Sequence, residues 1–239
     1  MKDMIESVIF DVDGTLVDSV DLHARAWRDA FRYFGKEVPV ELVRTQIGKG
    51  SDQLLPVFLT PEEIERFGDD LDEHRGMLWT RYFLDRVTAF PHVRDLFLLL
   101  RSRGKRIALA SSAKGEELIH YEKVADIQNL VVARTSADEA DQSKPHPDIF
   151  LAALSRLGNP PKDTVIVVGD TPWDAIAASR AGLRSIGVLC GGWDASRLRE
   201  AGFMAIYHGP EDLLLRYADS PFERMEGYEQ GTMLSEFMP

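Results

Sequence analysis

The chain has 239 residues, of which 44% are hydrophobic and 28% are charged, and this composition excludes the fibrous, collagenous and disordered classes of protein. Its 28 basic and 39 acidic side chains give a formal charge of −11, which has the wrong sign for binding nucleic acid or an anionic membrane surface. The single cysteine, Cys190, can form neither an intrachain disulfide nor a thiolate metal cluster, which is typical of a protein of the reducing cytosol.

The sequence lacks the patterns of a secretion signal and of a membrane span. Its first residues include acids, whereas a signal peptide begins with bases and continues with a longer apolar run. The longest interior apolar run, residues 96–100, is far shorter than the ~20 residues that a membrane helix needs. We therefore expect a cytoplasmic protein with no nucleic-acid and no membrane partner. For its assembly we expect a monomer or a weak homodimer, which no feature of the sequence decides.

Short β-branched runs alternate with helical stretches through most of the chain, as expected when helical crossovers join parallel strands. The predicted strands are residues 7–10, 106–110, 129–133, 164–168 and 184–188. Most of them are apolar nearly throughout, which is typical of strands covered on both faces. The pattern predicts an α/β fold with a parallel sheet.

About 90 residues without a strand signal separate the first two predicted strands, which is too many for a single crossover in a compact sheet. In this insert, apolar residues recur at helical spacing over residues 22–34, and Gly35 follows where a left-handed helix cap would lie. Thr60, Pro61 and Glu63 supply an N-cap, a first-turn proline and a capping-box acid for a helix running toward residue 71. We expect a third helix over residues 75–84, and therefore a small all-helical domain over residues 19–88.

The rhythm of strands and helices stops after Arg216, and residues 216–239 mix Gly, Pro and acids with scattered aromatics. We favour a mobile terminus for this tail. The alternative is that Phe222, Tyr228 and Phe237 dock on the body of the protein or on a second subunit.

Two carboxylates, Asp11 and Asp13, follow the first predicted strand, where Gly14 frees the backbone. In open α/β sheets the carboxyl ends of the strands are where ligands bind. When two acids lie close together, one can stay ionised as a nucleophile or metal ligand while the other donates a proton. A pair of this kind also occurs by chance in loops.

Further candidate residues follow other predicted elements. Ser111 and Ser112 come after the second strand, Lys144 precedes a helix that Pro147 opens, and Asp170 and Asp174 follow the strand at residues 164–168. Each has an ordinary structural explanation, such as a turn or cap for the serines and the acids, and a solvated charge for Lys144. As a set, carboxylates without a Cys or His cluster indicate a hard cation such as Mg²⁺ that bridges to a substrate phosphate.

The segments DVDGTLVDS from Asp11, SS from Ser111, KP from Lys144 and GDTPWD from Gly169 resemble, in order, the four motifs of the haloacid dehalogenase superfamily. This resemblance implies a Rossmann-like core, here residues 1–18 and 89–215, with the helical cap at residues 19–88 inserted after the first motif. Within the superfamily the chain is similar to the phosphoglycolate phosphatases and the beta-phosphoglucomutases.

The resemblance also implies roles for the motif residues. Asp11 would attack phosphorus and form an aspartyl-phosphate, while Asp13 would protonate the leaving oxygen and later activate water. An acid at position 13 favours phosphoryl transfer, because dehalogenase members lack one there and phosphonate-cleaving members usually carry a small apolar residue. Asp170 would bind Mg²⁺ together with Asp11 and the main-chain carbonyl of Asp13, and Asp174 would hold a metal-bound water or Lys144.

By the same resemblance, Ser111 would hydrogen-bond a phosphoryl oxygen, with Ser112 as a further substrate contact. Lys144 would neutralise Asp11 and the transferring group.

Substrate choice is expected to lie in the cap, where the loop at residues 46–53 offers backbone donors at Gly48 and a cation at Lys49. Lys49 either meets an anionic part of the substrate or is an exposed lysine on a turn. His23 and Trp27 share a helix face, and this HARAW segment resembles beta-phosphoglucomutase, in which the matching histidine helps to gate a sugar phosphate. We favour the alternative that Trp27 is a core residue and His23 its neighbour.

The prediction from sequence is a Mg²⁺-dependent phosphatase that acts on a small phosphorylated molecule such as phosphoglycolate or a sugar phosphate. A phosphomutase is the second possibility, although the cap loop of beta-phosphoglucomutase carries an arginine where this chain has only Gly48, Lys49, Gly50 and Ser51. The third is an inactive protein that keeps the fold as a sensor.

Overall fold

The computed structural model describes residues 4–223. Its strands are, in chain order, β1 (Ser7–Phe10), β2 (Val17–Asp18), β3 (Thr88–Ala89), β4 (Arg106–Ala110), β5 (Ala133–Thr135), β6 (Val165–Gly169), β7 (Arg184–Val188) and β8 (Ala205–Tyr207). Its α-helices are α1 (Val20–Tyr33), α2 (Val40–Arg44), α3 (Ser51–Phe58), α4 (Pro61–Tyr82), α5 (Val93–Ser102), α6 (Gly115–Val124), α7 (Asp148–Arg156), α8 (Pro172–Arg180), α9 (Ala195–Ala201) and α10 (Pro210–Leu215).

Six strands form one parallel sheet in the order β5-β4-β1-β6-β7-β8. The first strand lies inside the sheet with β4 on one side and β6 on the other, so the order of strand addition reverses at β1. A crevice for ligands forms at the carboxyl ends of the strands at such a point. The sheet confirms the predicted α/β, Rossmann-like fold.

Helices cover both faces of the sheet because the central strands β1, β4 and β6 are apolar over most of their length. Val8 and Phe10 belong to one apolar cluster together with residues of α5, α6 and α10. Ile9 points to the other face and joins a second cluster with residues of α7 and α8. None of the helices within residues 4–223 has the length and apolarity required to cross a bilayer.

The first four helices have a separate apolar cluster that includes Trp27, Phe31 and Leu54. This cluster confirms the prediction that Trp27 is a core residue, since only 4% of it is exposed. The short antiparallel pair of β2 and β3 joins the two ends of the insert, with Asp18 opposite Thr88. These two-residue strands are too short to produce a sequence pattern.

Two predicted strands differ in position from the observed ones. The strand expected at residues 129–133 begins only at Ala133, because the Leu130 N–H donates to the Ile127 carbonyl in a turn. Val131 is buried, but it lies before the first residue that pairs with β4. The strand expected at residues 164–168 is shifted by one residue, since Thr164 ends a short 3-10 turn. The three-residue strand β8 is absent from the prediction.

The predicted capping box is present, since the backbone N–H of Glu63 donates to Thr60 Oγ1 at 3.3 Å and the Thr60 N–H donates to Glu63 Oε2 at 3.0 Å. The prediction of two helices after this cap is wrong, because α4 is continuous for 22 residues. Its apolar pattern is interrupted at Asp72 and Arg75 because these side chains line a cavity. Helices α2 and α3 were not predicted.

The tail is attached at its start. Phe222 is 1% exposed and its ring lies 6.1 Å from that of Tyr217, in the apolar cluster of α5 and α10. The prediction of a mobile terminus from residue 216 is therefore wrong as far as residue 223. Tyr228 and Phe237 lie outside the described residues.

Candidate active site

The fold brings Asp11 and Lys144 together in the buried centre of the crevice. Asp11 follows β1 directly and is 4% exposed, while Lys144 is 1% exposed. The Lys144 ammonium donates to Asp11 Oδ1 and lies 2.7 Å from Asp174 Oδ1. Lys144 is therefore a paired charge of the site and not a solvated one.

Thr15 is a site residue that the sequence analysis missed. Its hydroxyl oxygen lies 3.1 Å from Asp11 Oδ2 and 3.0 Å from Asp170 Oδ1. One hydroxyl proton thus serves two carboxylates from distant parts of the chain. Only the position of Thr15, in the turn after Gly14, could have indicated this role.

Three buried carboxylates, those of Asp11, Asp170 and Asp174, have ligand atoms that all lie within 4.8 Å of one another. The Asp170 Oδ2 atom is buried and has no hydrogen-bond partner within the described residues. Burial raises the pKa of the Asp170 carboxyl well above its ordinary value, and the charges of Asp11 and Asp174 raise it further. An orphaned oxygen among mutually repelling carboxylates fits a divalent cation.

Two glycines allow the backbone to enclose the Asp170 carboxylate. A Cβ on Gly14, which has a φ of +78°, would lie 2.3 Å from Asp170 Oδ2. A Cβ on Gly191 would lie 1.7 Å from the same atom. Any side chain at either position would displace this carboxylate.

The Asp13 side chain points away from the carboxylate cluster. Its Oδ1 accepts a hydrogen bond from Ser19 Oγ at 2.6 Å and lies 3.0 Å from His23 Nε2. Burial acts to raise the pKa of Asp13, but His23 and Ser19 outweigh it and hold the pKa below its ordinary value. His23 is also stacked on Trp79, with ring centroids 3.6 Å apart. His23 is thus both a packed neighbour and a direct partner of Asp13.

Ser111 is both a turn residue and a residue of the site, which are the two interpretations that the sequence left open. Its Oγ accepts a hydrogen bond from the Ala113 N–H at 3.0 Å, as in a turn, and it lies 3.4 Å from Asp13 Oδ2. Ser112 donates instead to the carbonyl of Gly48 at 3.3 Å. The first serine therefore belongs to the site, and the second joins it to the loop of the insert.

Asp174 is likewise both a helix-capping residue and a residue of the site. Its Oδ2 accepts from the Thr171 hydroxyl at 2.6 Å in a capping box at the start of α8. Its Oδ1 faces Lys144. The helix cap thus orients a carboxylate whose other oxygen pairs with the Lys144 ammonium in the site.

The charges of the buried groups depend on each other. Burial raises the pKa of Asp11 to about 7, against the opposing effect of Lys144. Burial acts to lower the pKa of Lys144, but Asp11 and Asp174 outweigh it and raise the pKa, so that Lys144 stays charged. One ammonium among three carboxylates leaves negative charge that a bound cation would offset.

A cavity of about 260 Å³ lies between the insert and the site and is lined by both Asp11 and Asp13. The loop residue Gly48 has a φ of +99°, in agreement with a special backbone there. Lys49 also lines the cavity, but its ammonium lies 4.0 Å from the ring centroid of Trp173 and donates to Gln46. The sequence analysis missed Trp173, which anchors this loop on the core.

Residues 5–182 match the haloacid dehalogenase-like hydrolase family. The chain belongs to this family. The match confirms the prediction that this protein is a hydrolase. The chain is 30% identical over 211 residues to the phosphorylated carbohydrates phosphatase of Thermotoga maritima, covering 88% of this chain and 97% of the relative.

A second relative is the phosphoglycolate phosphatase of Escherichia coli K12, which is 31% identical over 210 residues, covering 78% of this chain and 82% of the relative. The crystal structure of a hydrolase from Pseudomonas syringae has a TM-score of 0.78 and 28% identity, covering 90% of this chain and 98% of that one. The Thermotoga maritima and Escherichia coli relatives are both named as phosphatases, which is the activity that the sequence predicts for this protein.

Proposed function

We propose that this protein is a Mg²⁺-dependent phosphatase that hydrolyses a small phosphomonoester through an aspartyl-phosphate on Asp11. The observation that carries the proposal is the contact of Asp11 with Lys144 in the buried carboxylate cluster at the end of β1. A buried carboxylate held by an ammonium can act as a nucleophile toward a phosphoryl group whose charge the same ammonium offsets. The names of the two phosphatase relatives support the substrate class.

In the first step an oxygen of Asp11 forms a bond to phosphorus, and the bond from phosphorus to the ester oxygen breaks. Asp13 passes to the departing oxygen a proton that His23, whose Nε2 lies 3.0 Å from Asp13 Oδ1, can supply, and the oxygen leaves as an alcohol. In the second step Asp13 takes a proton from water as that water attacks phosphorus, and the bond to Asp11 breaks to release inorganic phosphate. Asp13 lies on the cavity side of the site, which suits both proton transfers.

Ser111 and Lys144 position the phosphoryl group in this mechanism. The Ser111 hydroxyl is fully buried beside Asp13 and can donate to a phosphoryl oxygen. Lys144 stays charged, so it offsets the negative charge on Asp11 and on the transferring group. Asp11, Asp170 and the carbonyl of Asp13 would hold Mg²⁺, whose positive charge would supply further neutralisation, and Asp174 would orient Lys144.

We also propose that residues 19–88 act as a cap over the core of residues 1–18 and 89–215. The Gly48 carbonyl contact with Ser112 and the stacking of Lys49 on Trp173 describe a closed arrangement. Opening at these contacts would admit the substrate and release the product. The partner is a small phosphorylated molecule in the cytoplasm, and the monomer or weak homodimer stays a prediction.

The test is inorganic phosphate release by the purified protein from a panel of phosphomonoesters, with Mg²⁺ and after chelation. Asp11→Asn protein, with its fold checked by circular dichroism, is the blank. We expect metal-dependent release that disappears in the variant. Substantial turnover by folded Asp11→Asn protein would contradict the covalent route, and interconversion of glucose phosphates without phosphate release would indicate the mutase.

A further inference from the structure

Glu117, in the first turn of α6, is a buried acid that the proposed mechanism does not use. It is 8% exposed and lines the same cavity as Asp11 and Asp13. Burial raises the pKa of its carboxyl, and no group among residues 4–223 donates a hydrogen bond to it. Because this carboxylate borders the cavity and has no donor among the described residues, it can accept a hydrogen bond from a bound ligand.

The neighbours of Glu117 place it beside the position of the leaving group. Tyr121 lies one turn later on the same face of α6, and its hydroxyl is 3.3 Å from His23 Nε2. That nitrogen is in turn 3.0 Å from Asp13 Oδ1. Because Asp13 protonates the leaving oxygen, the organic part of the substrate lies in the cavity that Asp13 and Glu117 both line.

The opposite wall of the cavity offers a hydrogen-bond donor. Arg75 of α4 lies over the Trp27 ring, 5.0 Å from its centroid, and pairs with Asp72 at 3.2 Å. Its Nε is buried and has no hydrogen-bond partner within residues 4–223. A donor on the cap side and an acceptor on the core side suit hydroxyl groups, which both donate and accept.

The remaining charges of the cavity do not favour a second anion. Apart from Asp11 and Asp13, the charged residues that line it are Asp52, Asp72, Glu117, Asp141, Lys49, Arg75 and Lys114. Acids outnumber bases, and two of the three bases are engaged with protein groups, Lys49 by Gln46 and Trp173 and Arg75 by Asp72. A carboxylate or a second phosphate on the substrate would therefore meet uncompensated negative charge.

We infer that Glu117 determines specificity by selecting phosphate esters of neutral, hydroxyl-rich alcohols such as sugars, and by rejecting leaving groups that carry a carboxylate or a second phosphate. The inference rests on the proposed phosphatase function and narrows its substrate class. Glu117 accepts a hydrogen bond from a substrate hydroxyl and repels an anionic leaving group.

The test compares the wild type with Glu117→Gln, Glu117→Ala and the matched control Glu116→Gln, whose position is exposed in the same helical turn. The kcat/KM values are measured with Mg²⁺ for a hexose 6-phosphate, for phosphoglycolate and for p-nitrophenyl phosphate. The last ester has an aromatic leaving group without carboxylate or sugar hydroxyls, so it reports the core chemistry alone. Circular dichroism identifies variants that fail to fold. If Glu117→Gln does not fold, Glu117→Ala takes its place in the comparison.

We expect the wild type to prefer the hexose phosphate to phosphoglycolate. Removal of the Glu117 charge is expected to raise kcat/KM for phosphoglycolate relative to p-nitrophenyl phosphate by about tenfold or more, mainly through KM, while Glu116→Gln leaves the ratio unchanged. A wild type that prefers phosphoglycolate, or an unchanged ratio in both Glu117 variants, would overturn the inference. Absence of hydrolysis of every ester would instead overturn the proposed function itself.

Discussion

Replacement of Lys144 by Met should show how strongly the buried site depends on a single ammonium. The side chain of Lys144 is 0% exposed and lies against Asp11 and Asp174, whose side chains are 6% and 1% exposed. Removing one member of a buried ion pair leaves uncompensated charge and typically costs about 3–5 kcal/mol of unfolding free energy. For a chain of this size the loss corresponds to a fall in Tm of roughly 6–20 °C.

This loss should depend on pH. The pKa of Asp11 is raised by burial from 3.8 to about 7, so the folded protein takes up a proton on Asp11 more readily than the unfolded chain. Without the ammonium this preference increases, and protonation in acid removes the repulsion between Asp11 and Asp174. The difference in stability between wild type and variant should therefore be larger at pH 8 than at pH 5.

The assay is urea unfolding of both proteins in the presence of a chelator at the two pH values. Lys123→Met is the control, because Lys123 is an exposed lysine on α6. A loss below about 1 kcal/mol relative to this control, or a loss that grows toward pH 5, would refute the reasoning, since breaking a buried pair costs about 3–5 kcal/mol.

The remaining predictions concern the metal, the backbone and the start of the tail. Stabilisation of the protein by added Mg²⁺ should weaken as the pH falls through about 7, because protons compete for Asp11 and Asp170, whose pKa values burial raises; a Tm shift independent of pH would contradict this. Gly191→Ala should abolish phosphate release, because the added Cβ would meet Asp170 Oδ2. By contrast, Gly76→Ala in α4 should stabilise the chain by about 0.5–1 kcal/mol in urea unfolding, because the added Cβ would meet nothing within 4 Å. Phe222→Ala should cost about 3–5 kcal/mol in the same assay, and a loss under about 1 kcal/mol would show that this ring is dispensable.

The α/β class and the four motif positions could be predicted from the sequence because each depends on local pattern. A parallel strand covered on both faces is apolar nearly throughout, and Asp11, Ser111 and Asp170 each follow such a strand. Since the carboxyl ends of parallel strands meet at one edge, the prediction that these residues share a site needed no knowledge of strand order. The capping box at the start of α4 was predictable for the same reason, because Thr60 and Glu63 are three residues apart in the chain.

Local pattern failed where a long-range contact decides what a residue does. The polar stretch of α4 resembles the end of a helix in sequence, but it is the wall of a cavity, and only the opposing core supplies that reason. Likewise Thr15 bridges two carboxylates, one of which is 155 residues away in the chain, and Trp173 meets a lysine of the insert. The position of Glu117 in the cavity that Asp13 also lines depends on how α6 meets α1, where Tyr121 contacts His23. The sequence by itself therefore determined the fold class and predicted the candidate reactive groups, whereas the tertiary structure decided the partners of these groups, because contacts between distant segments leave no periodic signal in either segment.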